Sequence, residues 1–176
     1  MTMTQINVAQ LLKSPIGATR RHEVDERLMI GEAECLVKGE LTLMRTNRGI
    51  LVTGQVKTNM ELTCSRCLEL FGCPLTMDIQ EEYFPTMDVN TGASLPPLED
   101  PAAFTVDHNN TLDVAEAIRQ YALLAVPMKP LCKEDCAGLC ATCGANLNVG
   151  ACHCPPNVVD SRLAGLERLR HQDAKS

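Results

Sequence analysis

Residues 33–46 read AECLVKGELTLMRT, residues 49–58 read GILVTGQVKT and residues 71–84 read FGCPLTMDIQEEYF. In the first stretch Cys35, Val37, Leu41 and Leu43 share one parity. In the second, Ile50, Val52 and Val56 fall on one face and Thr53, Gln55 and Lys57 on the other. The third alternates through Phe71, Cys73, Leu75, Met77, Ile79, Glu81 and Tyr83. Successive side chains of a strand point to opposite faces, so this repeat gathers the apolar groups on one side. Thr46-Asn47-Arg48-Gly49 supplies turn chemistry between the first two stretches. The pattern predicts a half-buried antiparallel sheet over residues 33–84. The earlier stretch TRRHEVDERL, residues 19–28, has no decisive period and reads as strand or loop.

Beyond the strands, residues 85–110 hold four prolines and four acidic residues but no Lys or Arg. They read as a long, mobile acidic loop. A helix is predicted over 112–126, with Asp113 and Glu116 as a capping pair and Val114, Ile118, Tyr121, Ala122 and Ala125 as its apolar stripe. Pro127 and Pro130 stop it. The tail from Val158 reads as a short amphipathic helix with Leu163, Leu166 and Leu169 inward and Arg162, Arg168 and Arg170 near its polar side. The expected fold is α+β: an antiparallel sheet, curling toward a barrel, with one packed helix, a cysteine-rich zinc-knuckle-like element and a short terminal helix. Residues 1–130 then form a β-rich domain, and residues 131–176 the cysteine-rich element.

The chain's 176 residues suit one domain with an appendage. Apolar residues make up 45% and aromatics only 3%, with no Trp, so aliphatic side chains must fill the core. Sparse aromatics also argue against base stacking as a main binding mode. The net charge of −6 excludes a global basic footprint for nucleic acid. The acidity is concentrated, however: residues 61–110 carry one Lys/Arg against nine Asp/Glu, while residues 1–60 carry eight against six. The first residues lack a signal-peptide pattern, and no segment is long and apolar enough to span a membrane. A cytoplasmic protein is expected, in which reduced thiols favour metal over disulfides.

Six of the ten cysteines lie in LCKEDCAGLCATCGANLNVGACHCP: Cys132, Cys136, Cys140, Cys143, Cys152 and Cys154. Thiolates this dense in a short loop share a soft metal, most often zinc. Cys140-Ala-Thr-Cys143-Gly144 has the form of a zinc knuckle. Cys64-Ser65-Arg66-Cys67 is a second such pair between two strand patterns, at the tip of a hairpin. A redox pair would need a strand-to-helix setting. Cys35 and Cys73 share the inward parity and read as small buried hydrophobes. That leaves eight cysteines, enough for two four-thiolate sites. A single site using Cys140, Cys143 and one other pair fits the spacing equally well. Cys152-His153-Cys154 needs a kinked backbone to place both thiolates on one ion, and His153 could replace either. Cys136-x3-Cys140-x2-Cys143 reproduces the spacing of radical SAM enzymes, but the chain is too short for their barrel; another iron–sulfur cluster is the alternative to zinc.

No spacing suggests a catalytic base and nucleophile, and phosphate-cradling and dinucleotide motifs are absent. A closed four-thiolate site has no free position for substrate. The reading is of a protein without enzymatic activity or small-molecule substrate.

The ordered set of motifs carries a resemblance. CSRCL (64–68), the acidic loop, LLAVPMKPLC (123–132), CAGLCATCGANLN (136–148) and CHC (152–154) together resemble the YceD-like family, the large ribosomal RNA subunit accumulation proteins. Ala141 stands where many cysteine-rich members carry Pro. The resemblance implies a non-catalytic role in accumulation or processing of large-subunit 23S rRNA. Its partners would then be that rRNA or its precursor, and a ribosomal protein. Metal ligands would be Cys64, Cys67, Cys132, Cys136, Cys140, Cys143, Cys152 and Cys154, holding one or two zinc ions. Arg20, Arg21, Arg45, Arg48, Lys57 and Arg66 are candidates for rRNA phosphate contact. Two other functions remain open: a zinc-stabilised adaptor for a ribosomal protein, and an iron–sulfur or redox protein.

Overall fold

The computed structural model describes residues 4–155; the predicted terminal helix lies outside them. Four long strands dominate: β2 (Thr19–Ile30), β3 (Ala33–Arg45), β4 (Ile50–Thr63) and β5 (Leu70–Pro85). With a two-residue β6 (Thr105–Val106) they form one sheet in the order β2-β3-β4-β5-β6. All pairings are antiparallel except β5 with β6. The sheet curls into a half-barrel, so the chain is α+β as its alternation predicts.

The predicted inward parity is the buried one. Val37, Leu41, Leu43, Ile50, Val52 and Val56 are fully buried, with Leu75, Met77, Ile79 and Tyr83 beside them. Cys35 lies in this core, and Cys73 packs against its edge. Burying one such aliphatic side chain contributes about 1.5–3 kcal/mol. The turn at 46–49 closes as expected: Thr46 N–H donates to Gly49 O at 3.0 Å, and Gly49 N–H to Thr46 Oγ1 at 2.8 Å. The ambiguous stretch 19–28 is strand. It forms the sheet's edge, and of its residues only Val24, Leu28 and Ile30 are buried.

Two further elements cover the open side. Helix α1 (Ala9–Lys13) buries Leu11 and Leu12, although its sequence shows no period. Helix α2 (Ala115–Ala125) packs against β5 and β2 and buries Ala115, Ala117, Ile118 and Ala122. It starts later than residue 112 because Thr111–Asp113 form β7, paired with β1 (Gln5–Asn7). Asp113 Oδ1 still accepts the first helical N–H, from Ala115, at 2.8 Å. Glu116 does not close the predicted capping pair; it bonds Arg119 and Gln120 one turn on. The acidic segment is tied to the sheet through β6, and an isolated bridge between Met87 and Ser94 folds it back on itself.

Gly39 and Gly54 let β3 and β4 approach closely where the sheet curls. A Cβ on Gly39 would lie 2.2 Å from Gln55 O, and one on Gly54 2.2 Å from Glu40 O. These obstacles are backbone and cannot swing aside. Gly54→Ala is therefore expected to destabilise the chain by about 1–3 kcal/mol in urea denaturation. An unchanged midpoint would show that the sheet relaxes without loss.

Candidate metal centre

The tip of the β4–β5 hairpin is a compact loop from Cys64 to Glu69. Cys64 N–H donates to Glu69 O at 2.9 Å, and Leu68 N–H donates to Cys64 O at 3.0 Å. Arg66 N–H points at Cys64 Sγ, 3.5 Å away. This ring of bonds turns Cys64 and Cys67 toward one point. Ser65 N–H then donates to Pro130 O at 2.8 Å, which lays the chain after α2 against the tip. That contact delivers Cys132 and Cys136. Cys64 Sγ lies 3.8 Å from Cys136 Sγ, and Cys67 Sγ 3.6 Å from Cys132 Sγ. Arg66 Nη1 donates to Cys136 O at 2.9 Å and closes the join. Cys64, Cys67 and Cys136 are buried, with Phe71, Leu131, Cys132 and Leu139 packed around them.

Cys140, Cys143, Cys152 and Cys154 form a second group, more open to solvent. Its loop repeats the first one bond for bond. Cys140 N–H donates to Ala145 O at 2.8 Å, Gly144 N–H to Cys140 O at 2.9 Å, and Thr142 N–H points at Cys140 Sγ from 3.4 Å. The fifth position of each loop is left-handed: Leu68 at φ 61° and Gly144 at φ 73°. Glycine takes this conformation without steric cost, whereas Leu68 is strained there.

Within each group the four sulfurs lie within 4.8 Å of one another. All ten cysteines are free thiols, and the sulfur separations of 3.6 and 3.8 Å far exceed a disulfide bond. One ion with metal–sulfur bonds of about 2.3 Å at tetrahedral angles holds its sulfurs about 3.8 Å apart. The donor sets therefore fit one mononuclear ion each. They leave no space for a cluster with its own sulfides between the thiolates.

Electrostatics lead to the same requirement. Burial pushes the Cys64 thiol up, but the N–H groups of Cys132, Cys67 and Arg66 outweigh it and bring the pKa down to about 6. Burial and the neighbouring thiols push Cys132 up to about 12. In the outer group the N–H groups of Cys143 and Thr142 draw Cys140 to about 6, while the Cys143 side chain and burial raise Cys154 to about 12. The inner set thus favours thiolates at Cys64 and Cys136 and the outer set at Cys140, while Cys132 and Cys154 resist further negative charge. A divalent cation would remove that resistance.

The eight cysteines named from spacing are the eight that the fold gathers, four and four. Cys152 and Cys154 both turn into the outer set, and His153 does not join it. The six basic candidates have separate local partners. Arg20 Nη1 donates to Asn7 O, Arg21 pairs with Glu40 at 3.5 Å, and Arg45 Nη1 donates to Gly49 O. Arg48 lies 4.6 Å over the Phe84 ring, Lys57 stands opposite Lys38, and Arg66 serves the inner set. Sequence reasoning missed Asn148, whose Nδ2 donates to Cys136 Sγ at 3.3 Å. The only signal was its place in the GANLN run after Cys143.

Residues 52–170 match the family described as large ribosomal RNA subunit accumulation protein YceD. An uncharacterised protein of Mycobacterium tuberculosis is 28% identical over 152 residues, which cover 81% of this chain and 70% of that protein. A chloroplastic YCED homologue 1 of Zea mays, named as a large ribosomal RNA subunit accumulation protein, is 33% identical over 145 residues; these cover 66% of this chain and 46% of the maize protein. The Arabidopsis thaliana protein of the same name is 34% identical over 61 residues, 35% of this chain and 19% of its own length. No solved structure matches.

The paired loops differ in one testable respect. Leu68→Gly should relieve the left-handed strain and raise stability by about 1 kcal/mol, whereas Gly144→Ala should lower it by about as much. Denaturant titration of both variants checks the sign. Destabilisation by Leu68→Gly would mean that the leucine makes contacts worth more than its strain.

Proposed function

This chain belongs to the YceD family of large ribosomal RNA subunit accumulation proteins, and on that premise we propose that it is a non-catalytic factor promoting accumulation and processing of 23S rRNA. The family match over residues 52–170 is the observation that carries this reading. In it, the inner and outer thiolate sets hold one zinc ion each, and the ions are structural. A four-thiolate ion keeps no open position for a substrate or an activated water, which supports a role without chemistry. Zinc suits the geometry because it accepts four thiolates tetrahedrally and without redox change. The inner ion would fasten the chain after α2 to the hairpin tip, and the outer ion would fold the last described residues, where little apolar surface is available.

Phosphate contact would fall to the exposed basic groups. Lys57 lies on the sheet's outer face across from Lys38, whose Nζ is held by Asp25 at 3.1 Å. Arg20 and Arg21 lie on the edge strand, and Arg66 is exposed on the knuckle with Nη1 held by Cys136 O. The acidic segment makes tight independent RNA binding unfavourable and suits binding within a particle that a ribosomal protein helps to form. Among the described residues no helix is long and apolar enough to cross a membrane; a cytoplasmic place is part of this proposal.

A second reading, a zinc-stabilised adaptor for a ribosomal protein, has one observation in its favour. Leu68 and Leu70 stand exposed at the knuckle, each at 64%. Such apolar surface suits a protein contact better than a phosphate contact. Pull-down of the chain with and without RNase separates the two readings, since an adaptor keeps its partner after RNase.

In cells lacking the protein, mature 23S rRNA is expected to fall severalfold. The wild-type chain should restore it and sediment with precursors of the large subunit, and the Cys64→Ser/Cys67→Ser variant should do neither. Full restoration by that variant would remove the inner site from the function. Binding of the purified chain to 23S fragments should weaken with salt, and Lys57→Ala should flatten that dependence by about one contact's share. A salt-independent affinity would end the phosphate-contact idea.

A further inference from the structure

The two thiolate sets are not independent. The inner set, Cys64, Cys67, Cys132 and Cys136, draws its ligands from two distant parts of the chain. The outer set, Cys140, Cys143, Cys152 and Cys154, is local and more exposed. Between Cys143 and Cys152 the chain does not stay with its own set; it returns to the inner one. Asn148 Nδ2 donates to Cys136 Sγ at 3.3 Å, and Asn148 Oδ1 accepts from Ala137 N–H at 2.9 Å. Asn148 also donates to Asn146 Oδ1, through its backbone N–H at 2.9 Å and through Nδ2 at 2.8 Å. Leu147 N–H donates to Gly138 O at 2.9 Å, and Asn146 pairs with Leu139 in an isolated bridge. Asn146 Nδ2 reaches Glu69 Oε1, at the end of the inner knuckle, at 3.4 Å. Gly138, at φ 75°, sits where a Cβ would be 3.1 Å from Arg66 O.

The segment that must place Cys152 and Cys154 is therefore built on a thiolate of the inner set. An ion at the inner set would fix the place of Cys136 Sγ, the sulfur that accepts from the Asn148 amide at 3.3 Å. That bond orders residues 146–148 before the outer ion arrives, so the outer site loses less chain entropy on filling. The inner ligands are brought together by the hairpin tip and its bond to Pro130, so their assembly does not wait for residues 146–148.

We propose that the inner and outer sets are two separate metal sites that fill in order and with positive cooperativity, the inner first, and that Asn148 is the positioning residue through which the inner ion prepares the outer site. This rests on the reading that the cysteines hold metal, and not on the role in rRNA. By linkage, the outer ion strengthens the inner by the same factor. The outer ion, with the more exposed ligands, is the exchangeable one.

The test is a cobalt(II) titration of the metal-free full-length chain, followed by thiolate-to-cobalt absorption and native mass spectrometry. At substoichiometric cobalt, alkylation of free thiols should modify the outer four cysteines while Cys64, Cys67, Cys132 and Cys136 are protected. Cys140→Ser/Cys143→Ser should bind one cobalt and retain the inner absorption spectrum. Asn148→Ala keeps all eight ligands and should still bind two, but its second step should weaken about 10- to 100-fold. Asn148→Asp keeps the acceptor for Ala137 and lacks the donor to sulfur, so it should behave like Asn148→Ala and not like wild type. Protection of the outer cysteines first, or steps unchanged in Asn148→Ala, would overturn the coupling while leaving the metal sites in place. A chain that takes up no cobalt would overturn the metal reading and the coupling with it, without bearing on 23S rRNA levels.

Discussion

Fourteen successive residue pairs join β4 to β5, from Ile50 opposite Tyr83 to Thr63 opposite Leu70. Both ends of this ladder carry something the molecule needs. At one end Tyr83 is buried against Phe104, with ring centroids 5.2 Å apart, and its hydroxyl donates to Asp113 O at 3.3 Å. That links the sheet to the β1–β7 pair and to the start of α2. At the other end the ladder stops at Cys64, and the turn becomes the knuckle. Because side chains alternate with a period of two, a slip of one residue would turn Leu75, Met77 and Ile79 outward and displace the sulfurs together. Core and metal centre depend on a single register.

Beyond that ladder the C-terminal part has little apolar surface to bury. Its satellite core consists of Cys64, Cys67 and Cys136 with four partly buried neighbours. Segments so small rarely hold together by hydrophobic burial alone, and metal ligation is one of the usual substitutes. The same six-residue loop is made twice, once at the end of a hairpin and once in irregular chain. Backbone N–H groups aimed at sulfur and a left-handed fifth residue define it, and the residues that build it differ. Gly144 meets that geometry by having no Cβ, while Leu68 meets it under strain and keeps an exposed apolar side chain. The strain is offset by a sheet that holds both ends of the loop.

Much of this was legible beforehand, for identifiable reasons. A half-buried strand writes its burial into alternate positions, and Cys35, Val37, Leu41, Ile50, Val52 and Met77 are where parity puts them. The edge strand β2 was not legible, because an edge far from the core keeps only Val24, Leu28 and Ile30 inside. Helix α1 and the β1–β7 pair are too short for any period to show, and β7 removed the residues expected to begin α2. The CxxC spacing marked Cys64 and Cys140 as knuckles, since a two-residue spacer aims both sulfurs at one side of a turn. The basic side chains gave no such signal, and five of the six are engaged by different local partners.

The amino-acid sequence by itself determined the sheet's inward face and the two knuckles and narrowed the candidate thiols to eight, because each is a matter of local spacing along the chain. Which four thiols meet was decided only by the tertiary structure. Cys64 and Cys136 stand 72 positions apart, and their sulfurs come to 3.8 Å through the β4–β5 register, the path after α2 and the bond from Ser65 to Pro130. The place of Asn148 was decided the same way: an amide reads as a donor to sulfur only once the fold has brought a thiol to it. Spacing sets what a short segment can do, and long-range packing sets which segments do it together.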